Sequence, residues 1–273
     1  MNVAGTIDGG LSLWIKDVAG KELVVHQHSG YPGEDVPEAS ASASTQLNMQ
    51  SGDSTEALQG FCHCGTVRFH VTRPNDSSRL PTSNMADLMV PYHTGSSEIK
   101  NPHDLKWWLQ PEDALVPTRY LAGTCACRSC RLISGFEIQT WAFIPRSNII
   151  FHIADTSNAG AGPKDLGKAR LMPLDFSTLP EGILRSYESS PGVLRESCVK
   201  CGATVFWHDK WRPDLIDVSV GLLDAPEGAR AEEWLKWWKA RVSFSEDVSN
   251  GRSGMVAAHA KALVESLERG LKG

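Results

Sequence analysis

The sequence predicts a mainly β protein with small antiparallel sheets, one C-terminal helix and one long insertion. Short apolar runs, most of which alternate with polar residues, indicate half-buried strands. Such runs lie at 67–71, 148–153, 182–188, 203–208 and 215–222. Six prolines between residues 73 and 122 argue against long regular elements, so we interpret that stretch as the insertion.

Residues 1–57 are predicted to form an N-terminal hairpin and a flexible linker. Strand-like runs at 13–16 and 22–26 flank a turn at 17–20. Residues 29–57 are rich in Gly, Pro, Ser, Ala and Asp and show no apolar period, which is typical of a linker.

The insertion, residues 73–122, has its apolar centre at 105–109. Trp107 and Trp108 allow two interpretations. They line a substrate pocket, or they anchor a long loop to the core. Ordered loops of this length are often functional, so the pocket stays a hypothesis for both tryptophans.

Two helical patterns follow near the C-terminus. Residues 232–239 place three tryptophans at spacings of three and four, which predicts a helix with an aromatic packing stripe; they are Trp234, Trp237 and Trp238. Residues 253–271 form a longer amphipathic pattern, and glycines at 270 and 273 mark its end. We expect this helix to belong to a C-terminal helical segment, residues 240–273. It would dock on the domain of its own chain or on a second subunit, which would make the protein a homodimer.

Three of the seven cysteines fall within six residues, with the spacing C-x-C-x-x-C. They are Cys125, Cys127 and Cys130. Residues two apart on an extended segment point to the same side, and the C-x-x-C step turns the third sulfur toward the other two. Zinc prefers four tetrahedral ligands, and a site with three protein ligands leaves one position for water or substrate. This stretch is therefore the candidate catalytic site and the candidate second zinc site. In one interpretation, zinc occupies this second site only partly.

The other four cysteines form two pairs, each followed by a glycine. Cys62 and Cys64 have the spacing C-x-C, and Cys198 and Cys201 have the spacing C-x-x-C. Four thiolates close a tetrahedral zinc site, so these residues predict a structural zinc. Glycine after the last ligand suits a turn with positive φ.

Other uses of the cysteines fit less well. A disulfide framework conflicts with the odd number of cysteines and with an N-terminus that lacks the features of a secretory signal. A redox C-x-x-C needs a βαβ context that 123–143 does not show. The spacing also differs from the common iron–sulfur patterns.

Three segments resemble the glutathione-dependent formaldehyde-activating enzyme family, which also includes vertebrate centromere protein V. They are 60–67 (GFCHCGTV), 125–131 (CACRSCR) and 197–203 (SCVKCGA), and weaker matches lie at 184–191 and 217–224. The resemblance implies a zinc-containing tent of small antiparallel β-sheets over residues 58–239. The chain departs from the family pattern in one spacing. Cys64 and Cys125 are separated by 60 residues, many more than in a minimal member of the family.

The resemblance implies a carbon–sulfur lyase of the S-hydroxymethylglutathione synthase type. Its partners would be glutathione or a glutathione adduct and a small electrophile, and the long insertion makes a larger metabolite an equal alternative. The bound zinc would deprotonate a thiol or polarise a carbonyl oxygen. The alternative function is a non-catalytic zinc module that binds a protein. Arg185 and Arg195 are candidates for carboxylate binding, but a solvated face is the favoured interpretation of both.

Bulk composition excludes two classes of partner. A formal charge of −5 and a pI near 6.0 argue against nucleic acid. No apolar run reaches the ~18 residues that a membrane span needs. Reduced, metal-binding cysteines fit a cytosolic or nuclear compartment, and we expect a cytoplasmic protein.

Overall fold

The structure is a computed structural model that describes residues 6–26, 56–91, 96–111, 115–153 and 170–273. The predicted linker lies outside these residues, apart from 56 and 57. The stretch at 156–168, which its Gly and Ala content predicts to be a loop, also lies outside them. The described residues are mainly β, as predicted, with fifteen strands and three α-helices. None of these helices combines the length and the apolar character that crossing a membrane requires.

The strands are short, and most belong to one of two sheets. In chain order they are β1 (Asp17–Val18), β2 (Lys21–Glu22), β3 (Ala57–Phe61), β4 (Arg68–Thr72), β5 (Leu109–Gln110), β6 (Arg119–Cys125), β7 (Gln139–Pro145), β8 (Ile149–Ile153), β9 (Arg170–Pro173), β10 (Leu184–Ser190), β11 (Val193–Cys198), β12 (Thr204–Asp209), β13 (Leu215–Ser219), β14 (Leu223–Asp224) and β15 (Leu235–Trp237). The helices are α1 (Ser96–Ile99), α2 (Arg128–Ser134) and α3 (Gly254–Lys272).

The larger sheet has eight strands in the order β10-β11-β12-β13-β7-β6-β15, with β5 also paired to β6. The smaller sheet has five strands in the order β14-β3-β4-β8-β9. Neighbouring strands are antiparallel except β6 and β15, which are parallel. Because β13 continues through a short 3-10 turn into β14, the chain crosses from the larger sheet to the smaller one at that point.

The two sheets share one hydrophobic core. Phe69 and Phe151 come from the smaller sheet, and Phe206 comes from the larger one. Their ring centroids lie 5.5 to 6.0 Å apart, within the range of favourable aromatic contacts. The strand β4 buries alternate residues, as the pattern at 67–71 predicts.

The predicted helix at 232–239 is wrong, because Leu235–Trp237 forms the strand β15. Its backbone pairs with the edge of β6: the Tyr120 N–H donates to the Trp234 carbonyl, and the Trp238 N–H donates to the Ala122 carbonyl. A helix of eight residues gains little stability on its own. A ladder on an open sheet edge satisfies the same backbone groups and still buries Trp234 and Trp237.

The N-terminal hairpin is present but shorter than predicted. Residues 13–16 are not a strand, because a 3-10 turn occupies Gly10–Leu13. The strands β1 and β2 are joined by Ala19 and Gly20, both with positive φ. This is the backbone geometry that two-residue hairpin turns favour.

The helix α3 docks on the N-terminal segment of the same chain. Leu267 and Leu271 are buried, and Arg269 donates two hydrogen bonds to the Asp17 carboxylate at 2.9 and 3.0 Å. Gly270 lies against the backbone of Trp14, so that an added Cβ would overlap the Trp14 carbonyl. The predicted docking of this helix on the domain is therefore observed within one chain.

We expect Gly270→Ala to destabilise the protein, although the same change inside a free helix stabilises it by about 1 kcal/mol. The new methyl group meets backbone that cannot move aside, and overpacking of this kind costs about 1–3 kcal/mol. Urea unfolding measures the change. Lys261→Ala, on the exposed face of the same helix, is the control and should change the free energy of unfolding by about 0.5 kcal/mol or less. A Gly270→Ala variant as stable as the control would contradict this packing.

Candidate metal centres

Four cysteines meet where the two sheets approach each other. Cys62 and Cys64 lie in the turn between β3 and β4, Cys198 is the last residue of β11, and Cys201 lies in the turn between β11 and β12. Their four sulfur atoms all lie within 4.8 Å of one another. Each pair combines one buried and one exposed cysteine. The site therefore joins one hairpin of the smaller sheet to one hairpin of the larger sheet.

The two turns have matching backbone geometry. Gly65 and Gly202 have φ of 73° and 72°, values that a residue with a Cβ adopts only with strain. The Gly65 N–H donates to the Cys62 carbonyl, and the Gly202 N–H donates to the Cys198 carbonyl, both at 2.9 Å. The Val67 N–H also donates to Cys62 Sγ at 3.3 Å. These contacts orient the sulfurs before any ion binds.

The sulfur separations fit a tetrahedral metal site. Cys62 Sγ lies 3.5 Å from Cys64 Sγ and 3.6 Å from Cys198 Sγ, and Cys64 Sγ lies 3.6 Å from Cys198 Sγ. A tetrahedron with Zn–S bonds of ~2.3 Å has edges of roughly 3.8 Å. Sulfurs this far apart are not disulfide-bonded, since a disulfide needs ~2.05 Å. The donor set therefore fits a closed metal site.

The other three cysteines converge at the end of β6 and the start of α2. Cys125 is the last residue of β6, Cys127 is the N-cap of α2, and Cys130 lies in the first turn of that helix. Their sulfurs lie within 4.8 Å of one another. The Cys130 N–H donates to Cys127 Sγ at 3.3 Å. Strand, cap and helix together build the three-sulfur cup that the spacing predicts.

The three thiols affect one another's ionisation. Hydrogen bonds from Cys125 and Cys130 lower the pKa of Cys127 to about 2, against the opposing effect of burial. The hydrogen bonds to Cys127 and Cys130, together with burial, raise the pKa of Cys125 well above its usual range. Cys127 is half-buried, whereas Cys125 and Cys130 are buried. The cluster therefore stabilises one thiolate at its most accessible sulfur.

A buried arginine lies against the cup. Arg195, on β11, is 5% exposed. Its Nη1 donates to Cys130 Sγ at 3.4 Å and its Nε donates to Ser189 Oγ at 3.2 Å. The expected solvated face is wrong for Arg195, because its side chain is buried against Cys130 and Ser189, whereas Arg185 is exposed. The guanidinium offsets the negative charge of the thiolates.

The three-cysteine cup opens onto a cavity of about 910 Å³, but the four-cysteine site does not. The cavity wall combines the insertion, the cup and residues of β7, β10, β11, β12 and β13. Its aromatic lining consists of Trp107, Trp141, Phe143, Trp207, Trp211 and Phe244. A cavity of this size accommodates a drug-sized ligand.

The two tryptophans of the insertion lie in different places. Trp107 borders the cavity and donates its Nε1–H to the Asn84 carbonyl at 2.9 Å. Trp108 is fully buried, donates to the Ser78 carbonyl at 3.0 Å and does not line the cavity. Residues 82–88 of the insertion also line the cavity. Both tryptophans thus anchor the insertion, and Trp107 contributes to the pocket as well.

A second polar group lies on the cavity wall. Arg212 Nη2 donates to Asp217 Oδ1 at 2.8 Å, and the guanidinium lies 4.6 Å from the ring centroid of Trp207. Burial raises the pKa of Asp217 to about 7, although the Arg212 cation acts in the opposite direction. Sequence patterns did not single out Asp217, because it occupies one position of a strand that otherwise reads as apolar.

Asp217 should make stability depend on pH. Its pKa in the unfolded chain is near 3.9. Between about pH 4 and the folded pKa of about 7, the native state therefore binds more protons than the unfolded state. The contribution of this group to the free energy of unfolding is greatest below pH 4 and is lost as the pH rises to about 7. We expect Asp217→Asn to flatten the fall in the free energy of unfolding from pH 4 to pH 7, measured in urea. Asp214→Asn, at an exposed ion pair, is the control, and an unchanged slope in Asp217→Asn would contradict the assignment.

No protein-family model matches the chain. No curated protein matches it either. Among solved structures, it is similar to the crystal structure of a Rhodobacter sphaeroides protein at 16% sequence identity, over 66% of this chain and 99% of that one. The TM-score of 0.31 is too low to support a conclusion about fold or function.

Proposed function

We propose that this protein is a zinc-dependent enzyme that makes or breaks a bond between the sulfur of a glutathione-like thiol and an electrophilic carbon. One observation carries the proposal: three cysteine sulfurs within 4.8 Å of one another open onto a cavity of about 910 Å³. The cysteine segments that resemble the formaldehyde-activating family support the same chemistry. Reduced thiol ligands also suit a reducing compartment such as the cytoplasm.

The donor sets support two different metal roles. Four thiolates complete a tetrahedron, so Cys62, Cys64, Cys198 and Cys201 would hold a structural zinc. Three thiolates leave one position open, so Cys125, Cys127 and Cys130 would hold a zinc that accepts a ligand from the cavity. A zinc ion there would bind an incoming thiol and lower its pKa.

The surrounding side chains suit such a reaction. Arg195 keeps a positive charge beside the buried sulfurs, which favours the charged form of the cup. Trp141 and Phe244 pack against the cysteines and give the cup an apolar border. The rest of the cavity is large enough to hold both a peptide-like thiol and an electrophile with an aromatic or apolar body.

The proposed step is redox-neutral. The thiol loses its proton, and the sulfur lone pair forms a bond to a carbonyl carbon. The π pair of the carbonyl moves to oxygen, which takes up one proton, so that the product is an S-hydroxyalkyl thioether. The reverse step breaks the same carbon–sulfur bond and returns the proton to sulfur.

The test combines metal analysis with turnover. We expect two zinc ions per chain and an accelerated exchange between formaldehyde, glutathione and their adduct, measured by NMR, with larger aldehydes assayed in parallel. Cobalt substitution reports thiol binding, because a thiolate that joins the open site changes the visible spectrum. Zinc-loaded protein that neither accelerates any of these reactions nor changes its cobalt spectrum with thiol would instead support a non-catalytic zinc module.

A further inference from the structure

We propose that Asp87 is the catalytic acid–base that exchanges a proton with the substrate oxygen in this cavity, an inference that rests on the proposed function. Asp87 belongs to the insertion, whereas the cysteine cup belongs to β6 and α2. The insertion would then supply part of the reaction chemistry in addition to shaping the pocket. The substrate class follows: a carbonyl compound, or the hydroxyalkyl thioether formed from it, whose oxygen reaches this carboxyl group.

Asp87 is tied to the cysteine segment through one hydroxyl group. Ser243 Oγ donates to Asp87 Oδ2 at 2.7 Å. The Ser243 N–H donates to the Thr124 carbonyl at 2.8 Å, and the Ser243 carbonyl accepts from the Ala126 N–H at 2.9 Å. These backbone bonds flank Cys125 on both sides, so the position of Asp87 is fixed relative to the cup.

The backbone of Asp87 is held as well. Arg241 Nη1 donates to the Asp87 carbonyl at 3.3 Å, and the neighbouring side chains Ala86 and Leu88 are buried in the core. Asp87 itself is half-buried and lines the cavity. The carboxyl group is therefore held by core packing on both sides and opens toward the space where substrate would bind.

Among the described residues that line the cavity, the other carboxylates are already engaged. Asp217 accepts from Arg212, and Asp104 pairs with Lys106 at 2.6 Å. Asp209 and Asp247 each accept from backbone N–H groups. Asp87 forms no ion pair within the described residues, and its bond from Ser243 occupies one oxygen only. This leaves an oxygen of Asp87 available to substrate.

The electrostatic surroundings support an acid role. Burial raises the pKa of Asp87, the Ser243 hydroxyl and the cations Arg212 and Arg241 oppose that rise, and the Cys127 thiolate adds to it. A carboxyl group with a raised pKa keeps its proton to a higher pH than an ordinary aspartate, which favours a role as proton donor. In the forward step, Asp87 protonates the oxygen as the carbon–sulfur bond forms. Water accepts the proton that the thiol releases before the attack, and the Asp87 carboxylate is reprotonated from water afterwards, so protons balance over one turnover.

The experiment compares carboxyl-to-amide changes at two residues of the insertion, one that lines the cavity and one that does not. Asp87→Asn keeps the shape and the bond from Ser243 but removes the acid, and we expect kcat to fall about 10²–10⁴-fold with zinc content and thiol-induced cobalt spectrum unchanged. Asp76→Asn, the same change at an exposed carboxylate of the insertion that does not line the cavity, should stay within about twofold of the parent. Asp87→Ala should regain part of its activity when formate is added, because the truncated side chain leaves room for a free carboxylic acid.

The outcomes separate the two proposals. A parent protein with no turnover on any thiol and electrophile pair overturns the proposed function and this inference with it. An active parent with an Asp87→Asn variant of normal kcat overturns the inference alone. Loss of zinc or of thiol binding in Asp87→Asn assigns the residue a structural role and also overturns it. Lost turnover with intact metal and thiol binding, together with formate rescue of Asp87→Ala, supports it.

Discussion

Cys201→Ala will unfold the protein, although Cys201 is exposed and its truncation leaves no cavity in the core. The reason is the metal. Structural zinc contributes about 10–16 kcal/mol of apparent binding free energy in small zinc domains. The net stability of a folded domain is only about 5–15 kcal/mol. Weakening the four-cysteine site should therefore be enough to lose the native state, as circular dichroism and zinc analysis would measure.

Lys200→Ala is the matched control for this variant, because Lys200 is an exposed residue of the same turn that offers no ligand atom. It should keep the zinc content and unfolding midpoint of the parent. A soluble Cys201→Ala protein that unfolds cooperatively and retains full metal content would show that these four cysteines do not hold a structural ion.

Cys127→Ser should abolish turnover and leave the fold intact. Serine is a poor zinc ligand beside thiolates, but it is a favourable N-cap residue, so the start of α2 keeps its hydrogen bond to the Cys130 N–H. Metal ions contribute several kcal/mol of transition-state stabilisation, and about 4 kcal/mol corresponds to about a thousandfold in rate. We expect a loss of that order, with one zinc ion retained and a thermal midpoint close to that of the parent.

Arg128→Ala serves as the control, since Arg128 is an exposed residue between two of the cysteines. It should retain both ions and most of the activity. A chelator should reproduce the effect of Cys127→Ser by removing the more weakly held ion first. Normal turnover in Cys127→Ser would show that the cup takes no part in the reaction, and would favour a role for the protein in binding a partner.

Local patterns predicted the strands and the C-terminal helix because they depend on residues close together in the chain. Alternation at 67–71 and the helical period at 253–271 both correspond to observed elements. The spacing of the cysteines also predicted which of them could share an ion, since ligand geometry restricts the combinations. The structure brings together both predicted sets, four and three.

Tertiary context explains what the sequence missed. Three tryptophans at helical spacing form a strand at 235–237, because the open edge of β6 offers hydrogen bonds that no local pattern reveals. Arg195 looks like a surface residue in the sequence, and only its contact with Cys130, 65 residues away in the chain, shows that it is buried beside the cup. Asp87 lies in a proline-rich insertion without periodicity, and only its contact with Ser243, 156 residues away in the chain, sets it apart.

The four-cysteine site also has a consequence for how the chain folds. Cys62 and Cys198 are 136 residues apart, and closing a loop of that length costs roughly 4 kcal/mol of chain entropy. Each turn, however, carries two ligands that are near neighbours in sequence, so one turn can capture an ion before either sheet forms. The two cysteines of the second turn then complete the site by binding the ion that the first turn already holds. Moderate zinc should thus speed refolding, whereas excess zinc should slow it, because two turns that each hold their own ion cannot join.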